Sequence, residues 1–265
     1  MKANKNPLES QLSDDSMASI HYCNSNVVSD ELAEIPTSLQ HIAIIIDGNR
    51  RWAVANGLSR LSGHKKGYEK VKEITFLLPK YGIKYVTYYL FSFENWNRSA
   101  EEVGFIMNIF RDAFRNLGSV FHEHKARFIA IGNLSILPED IQKSLAALSE
   151  ETSCYDTFTV IAAISYSGRD EILRAAKKIA ADAMAGKLNP HDLSEDSFSS
   201  YLDTKGIPYP CVVVRTSEKR LSNFLIWQST YSEIFFLDKL WPDFSEDDLK
   251  NVIDDFSQRK RRYGR

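Results

Sequence analysis

Little in this sequence is unbalanced, and the absences narrow the field first. The 265 residues carry 33 Lys plus Arg against 35 Asp plus Glu, a net charge of -2. A chain that lives on nucleic-acid phosphates shows a strongly basic total or face, and no basic excess exists here. The three cysteines, Cys23, Cys154 and Cys211, are far apart and form no CxxC pair. Neither a disulfide framework nor a thiolate zinc site is indicated, and a reducing compartment is expected. No apolar run approaches the roughly 20 residues needed to cross a bilayer. The N-terminal stretch, with Asp14, Asp15 and several Ser and Asn, lacks both the apolar core of a secretion signal and the Arg-rich, acid-poor character of a transit peptide, so the expected location is cytoplasmic. Neither GxxxxGK[ST] nor a strand-linked GxGxxG occurs, which weighs against P-loop NTPases and dinucleotide enzymes. His122-Glu123-His124 is not HExxH, and histidines two apart do not share a helix face, so it reads as surface.

What is present is a globular composition, 43% hydrophobic and 26% charged, which excludes disorder as a class. Aromatic residues, at 12%, suit either a large core or a site for an apolar ligand. Residues 1–36 are polar and aperiodic, end in Ile35-Pro36, and read as a flexible N-terminal tail. Residues 37–265 show no linker, composition break or internal repeat and read as one domain. Within it lie six apolar runs, at 42–46, 85–91, 127–131, 158–164, 211–214 and 234–237. They are continuous rather than alternating, as strands covered on both faces require. Helical periodicity separates them: 101–117 places Val103, Ile106, Ile109, Phe110, Ala113, Phe114 and Leu117 three or four apart, and 68–81 does so with Val71, Ile74, Leu78 and Tyr81. The expected class is α/β, a single domain with a central six-stranded, mainly parallel sheet flanked by helices.

Polar groups collect just after four of these strands: Asp47-Gly48-Asn49-Arg50-Arg51, Ser92-Phe93-Glu94-Asn95, Ser165 to Arg169, and Arg215-Thr216-Ser217. Open parallel sheets bind ligands beyond the carboxyl ends of their strands, so these loops are expected to line one cleft. Asp47 at a strand end can bind Mg²⁺ and Gly48 lets backbone N–H groups approach an anion, although Asp-Gly and Gly-Asn are equally good turn formers. Residues 57–67, with Arg60, His64 and Gly67, read as a Gly-punctuated basic loop opening a helix at Tyr68. Cations at a helix N-terminus oppose its dipole unless an anion lies between, which favours a bound phosphate; a solvated basic loop is the competing reading for the lysines, and a satisfied surface histidine the competing one for His64. Asn95 and Arg98 are candidate polar anchors beside Trp96, an aromatic of the type more often found in a core. Residues 215–223 form a second cationic, hydroxyl-rich loop suited to diphosphate oxygens. Two cationic centres point to two anionic substrates.

As an ordered set, HIAIIIDGNRRWA, GLSRLSGHKKG, FSFENWNRSAEEV, SYSGRDEI, RTSEKRLSNFLIWQSTYSEIFF and the terminal RRYG resemble the cis-prenyltransferases, from about His41 to the C-terminus. The resemblance implies a homodimer that uses Mg²⁺ to condense isopentenyl diphosphate onto an allylic diphosphate such as farnesyl diphosphate. No nucleic-acid partner is expected, and transient membrane association would serve product release. By the same resemblance Asp47 handles the metal and the allylic diphosphate, surrounded by Gly48, Asn49, Arg50, Arg51, Trp52, Arg60, His64, Ser92, Trp96 and Arg98. Asn95 assists the condensation. Arg215, Arg220 and Ser222 hold isopentenyl diphosphate, Glu233 assists with Mg²⁺, and Arg262 and Gly264 belong to an RxG element that completes the partner subunit's site.

Four departures from the family pattern stand out. The RTSGE element is one Gly short, which leaves Arg215 and Arg220 five rather than six apart; Phe93 replaces a Ser, Ser99 a Pro, and Ser165-Tyr166-Ser167-Gly168-Arg169 stands for NYGGR. None removes a charged catalytic group. The competing readings are a non-catalytic scaffold subunit of a heteromeric cis-prenyltransferase, which would lack Asp47 and its loop, and an unrelated α/β phosphate-binding protein. The all-helical trans-type synthases carry DDxxD, absent here.

Overall fold

The computed structural model describes residues 39–260. The tail expected at 1–36 and the residues Arg262 and Gly264 lie outside the described residues. Six strands form one sheet: β1 (His41–Ile45), β2 (Tyr85–Ser92), β3 (Ala126–Ile131), β4 (Phe158–Tyr166), β5 (Val212–Thr216) and β6 (Glu233–Leu237). Each starts within one residue of an expected apolar run. All pairings are parallel, in the order β3-β4-β2-β1-β5-β6, so the sheet is wholly rather than mainly parallel. Eight α-helices occur among the described residues: α1 (Asn49–Ala55), α2 (Arg60–Thr75), α3 (Ala100–Asn116), α4 (Gly118–Glu123), α5 (Glu139–Glu151), α6 (Gly168–Met184), α7 (Glu195–Ser199) and α8 (Glu246–Gln258).

The strands are legible as runs because the central ones are covered on both sides; β1, β4 and β5 are buried at every position, whereas the edge strands β3 and β6 are not. One face, carrying Ile44, Tyr88, Ala162 and Val214, packs on Ile74 of α2, Phe110 of α3, Leu145 of α5 and Ile253 of α8. The opposite face, with Ala43, Tyr89, Ile161 and Val213, is covered in part by Phe224 and Leu225, which arrive from a loop. Phe224 stacks on Tyr89 with ring centroids 4.5 Å apart. Among the polar side chains buried in this sheet is His41, with its ring nitrogens 2.8 Å from the Thr87 hydroxyl and 2.6 Å from the Pro208 carbonyl. Burial pushes its pKa down to about 4.

Two helix expectations need correction. The basic segment before Tyr68 is not a loop: α2 begins at Arg60, capped by the Ser59 hydroxyl, and runs through Gly63, His64 and Gly67. These glycines punctuate nothing; four residues apart, they make a smooth stripe against α1. A Cβ on Gly63 would lie 2.0 Å from the Asn49 carbonyl oxygen, and one on Gly67 would lie 2.3 Å from Asn49 Oδ1. Close helix contact thus overrides the poor helix propensity of Gly. The helix expected to continue to Tyr81 instead stops at Thr75 and resumes as a 3-10 turn, Leu78–Tyr81, because Pro79 offers no N–H and disfavours helical backbone before it. The helix expected at 101–117 is present as α3. Ser99 caps it, accepting from the Glu102 N–H at 3.3 Å, so the replacement of Pro retains a defined helix start.

Candidate active site

A cavity of about 1310 Å³ opens where β1, β2 and β5 end and runs between α2, α3 and the sheet. Its mouth is polar. Asp47, Gly48, Asn49, Arg50, Arg51, Arg60, His64, Ser92, Asn95, Arg98, Arg215, Arg220 and Ser222 all line it, so thirteen expected site residues share one space. Its depth is apolar, walled by Tyr68, Val71, Ile106, Phe110, Phe128 and Val160 among others.

The first centre joins β1 to β5. Gly48 takes a left-handed φ of 105° at the head of α1, turning the chain so that its N–H donates to Asp47 Oδ1 at 2.7 Å; a Cβ there would lie 2.9 Å from Leu240 Cδ2. Asp47 Oδ2 accepts from Arg215 at 2.8 Å, and Arg51 lies 3.6 Å from Oδ1. Arg215 is buried and donates also to Ser222 Oγ at 2.5 Å and to the Arg220 carbonyl. Glu218 then links Arg51, at 2.9 Å, to Arg220, at 2.8 Å. The loop lacking one Gly therefore still closes around Arg215. It does so with left-handed backbone at Ser217, Ser222, Asn223 and Leu225, a conformation that costs a non-Gly residue about 1–2 kcal/mol. Asn223 anchors this loop to its neighbours, donating to Ser167 Oγ and to Glu94 at 3.2 Å while accepting from the Arg169 N–H at 3.1 Å.

The second centre gathers three of the expected basic residues around an acid that the sequence did not single out. Three basic side chains, from α1, α2 and the residue that ends the 3-10 turn Phe93–Asn97, converge on Glu102: His64 Nε2 at 3.0 Å, Arg98 at 3.0 Å and Arg50 at 3.3 Å. Glu102 is buried in the first turn of α3. Burial pushes the His64 pKa down, more than its contact with Glu102 pushes it up, so the imidazole is neutral near pH 7 and two arginines carry the positive charge. The available signals were Ser99 three residues ahead of Glu102, a capping pattern, and Arg98 four residues ahead. Between the two centres, Ser92 caps the 3-10 turn Phe93–Asn97, and its N–H donates to Asn95 Oδ1 at 3.1 Å, which fixes the Asn95 amide at the cavity wall.

Three expected residues stand elsewhere. Trp52 does not line the cavity; its indole N–H donates to Asp243 at 2.7 Å and ties α1 to the segment after β6. Trp96 packs edge-on against Phe91 and donates to Ser165 Oγ at 3.0 Å, because its large ring fills the core under the turn. Glu233 does not join Asp47 within one chain. It opens β6 opposite Val212, at the other end of the sheet, and pairs with Arg259 at 2.8 Å.

No group of three or more His, Cys, Asp or Glu able to hold a metal occurs among the described residues. The donor set at the mouth, where Asp47, Glu94 and Glu218 stand among more numerous arginines, suits Mg²⁺ carried by phosphate oxygens, since Mg²⁺ keeps water and needs only one or two carboxylates when a phosphate supplies the rest. Asp47 is the residue that fits that part. No helix among the described residues is long and apolar enough to cross a membrane.

Comparison with known proteins agrees with this arrangement. The family model of undecaprenyl diphosphate synthase matches residues 45–264. An isoprenyl transferase of Treponema denticola is 45% identical over 227 residues, covering 85% of this chain and 97% of its own. A tritrans,polycis-undecaprenyl-diphosphate synthase (geranylgeranyl-diphosphate specific) of Thermoplasma acidophilum is 43% identical, covering 91% of this chain and 94% of its own. The crystal structure of lavandulyl diphosphate synthase from Lavandula x intermedia in complex with dimethylallyl diphosphate is 36% identical and aligns with a TM-score of 0.84 over 86% of this chain and 99% of that one. The match over most of the sequence, the shared parallel sheet and the ordered site loops make this chain a member of the undecaprenyl diphosphate synthase family, the cis-prenyltransferases.

Proposed function

We propose that this prenyltransferase condenses isopentenyl diphosphate units in cis onto farnesyl diphosphate and releases a long-chain polyprenyl diphosphate such as undecaprenyl diphosphate, a precursor of the lipid carrier for cell-wall synthesis. The observation that carries this reading is a single cavity with two cationic centres at its mouth and an apolar depth. Arg50, Arg60, Arg98 and His64 surround the allylic diphosphate, with the tail directed inward. Arg215, Arg220 and Ser222 hold isopentenyl diphosphate across the mouth. As the allylic C–O bond breaks, its electron pair leaves on the diphosphate, where the guanidiniums neutralise the developing charge. The isopentenyl double bond forms the new C–C bond; an adjacent C–H bond then breaks, its electron pair restoring a double bond and its proton passing to the released diphosphate, while Asn95 fixes the approach of the two substrates. Mg²⁺, held by Asp47 and diphosphate oxygens, would supply further charge neutralisation to the leaving group.

The homodimer belongs to this proposal, supported by the likeness of Arg262-Tyr263-Gly264 to the family's RxG. Transient contact with a membrane follows from the apolarity of a long product, and a cytoplasmic location from the sequence. Against the scaffold alternative, Asp47, Asn49 and His64 all line the cavity.

Incubation of purified protein with labelled isopentenyl diphosphate, Mg²⁺ and farnesyl, geranylgeranyl or dimethylallyl diphosphate tests both activity and starter choice. Long-chain product from farnesyl diphosphate is expected, and no product at any Mg²⁺ concentration refutes the proposal. Mixing Asp47→Ala protein with protein lacking residues 262–265 tests the dimer: activity should partly return, because one mixed site pairs an intact Asp47 with an intact tail. No recovery after proven subunit exchange would remove the shared site.

A further inference from the structure

Glu102 is an anion set among the cations assigned to the allylic diphosphate. Arg50 and Arg98 both reach it, at 3.3 and 3.0 Å, and both remain partly solvated, with side chains 40% and 31% exposed. His64 and Glu102 are fixed by burial, at 12% and 11%. Arg50, Arg60 and Arg98 also line a smaller hollow on which Glu102 borders, together with Ser59 and Ser99. A diphosphate bridging Arg50 and Arg98 must therefore come close to the carboxylate that already holds them.

We propose that Glu102 is a positioning residue that holds Arg50 and Arg98 while the site is empty, yields them to the allylic diphosphate, and takes them back when inorganic diphosphate departs. The two arginines are free to exchange partners because they are half in water. Glu102 can give them up because it keeps the His64 contact and sits in the first turn of a 17-residue helix, where the dipole favours a negative charge. Like charges brought together disfavour the bound state, so the carboxylate weakens the grip on the spent diphosphate and speeds turnover. In the proposed reaction a cluster built only of cations would serve badly: each condensation leaves behind an anion of the same kind as the substrate's head group, and it must leave before the next cycle.

The inference rests on the reading that this cluster takes the allylic diphosphate. Its test is calorimetric titration of inorganic pyrophosphate into full-length wild type, Glu102→Gln and Glu102→Asp, alongside steady-state kinetics. Glu102→Gln should bind pyrophosphate at least tenfold more tightly, with kcat reduced, KM for farnesyl diphosphate lowered and pyrophosphate inhibition strengthened. Glu102→Asp, whose carboxylate withdraws by one methylene, should bind two- to fivefold more tightly; it carries the test if the Gln variant fails to fold. Wild-type binding that neither folded variant tightens would overturn the hand-off alone, since a residue that only orients the arginines would loosen pyrophosphate when removed. A wild type that binds no pyrophosphate would overturn the site assignment and the hand-off together.

Discussion

Arg215 and Asp47 meet across 2.8 Å and so join the ends of β5 and β1 through their side chains. Arg215 is only 4% exposed and its Nε has no partner, so the guanidinium depends on Asp47, Ser222 and the Arg220 carbonyl. Asp47→Ala should lower turnover by at least about 100-fold, roughly 2.7 kcal/mol of barrier. It should also lower stability by about 2–3 kcal/mol, because a buried cation loses its charged acceptor. Asp47→Asn should recover part of the stability and little of the turnover. Paired urea denaturation and product assays decide this; wild-type turnover in either variant would take Asp47 out of the chemistry.

Gly63→Ala should be poorly tolerated despite raising helix propensity. Its Cβ would meet the Asn49 carbonyl oxygen at 2.0 Å, a backbone atom that cannot turn aside. Overpacking of this kind costs about 1–3 kcal/mol, and the displaced Asn49 carries the first turn of the cavity mouth with it. A lowered melting temperature with a raised KM for farnesyl diphosphate is expected, and an unperturbed variant would show that α1 and α2 are not locked there.

Product length should respond to Ala113. It is buried on α3 and lines the cavity near Ile109 and Phe110, so a larger side chain projects into the apolar depth. Each isoprene added to the chain buries about five carbons at roughly 0.8 kcal/mol per CH₂-sized group, and growth continues until the wall blocks it. Ala113→Phe should shorten the products seen by chromatography with a modest loss of rate. Unchanged products with a lowered melting temperature would place Ala113 in packing alone.

Acid should weaken the fold through His41. Its folded pKa is lowered to about 4 from 6.5, so the unfolded chain takes up the proton first. The stability from the neutral ring is complete above pH 6.5 and is lost as pH falls through the window down to about 4, at about 1.4 kcal/mol per unit. Between pH 7 and pH 5 wild type should lose about 2 kcal/mol more than His41→Gln in urea denaturation. Equal losses would mean that His41 does not titrate in this way.

The sheet was legible because burial on both faces writes unbroken apolar runs, and because each polar cluster followed a run directly. What escaped was whatever depends on neighbours distant in sequence. Gly63 and Gly67 read as loop residues until α1 is seen against them. Glu102 drew no reading of its own, since convergence of His64, Arg50 and Arg98 on it is a tertiary fact. Trp52 and Trp96 had the right loops and the wrong direction. The pairing of Glu233 with Arg259 depends on how β6 and the end of α8 come together, which no local pattern records.

The loop that carries Arg220 and Ser222 continues directly into Phe224 and Leu225, both fully buried under the sheet. Lining of the cavity mouth and closure of the hydrophobic layer are thus written in consecutive residues. Loops that hang freely from a scaffold can be exchanged, lengthened or recombined while the rest of the molecule stands. This one cannot be inherited apart from the core beneath it, and evolutionary change in this side of the cavity mouth must be accompanied by repacking against Tyr89 and Tyr166.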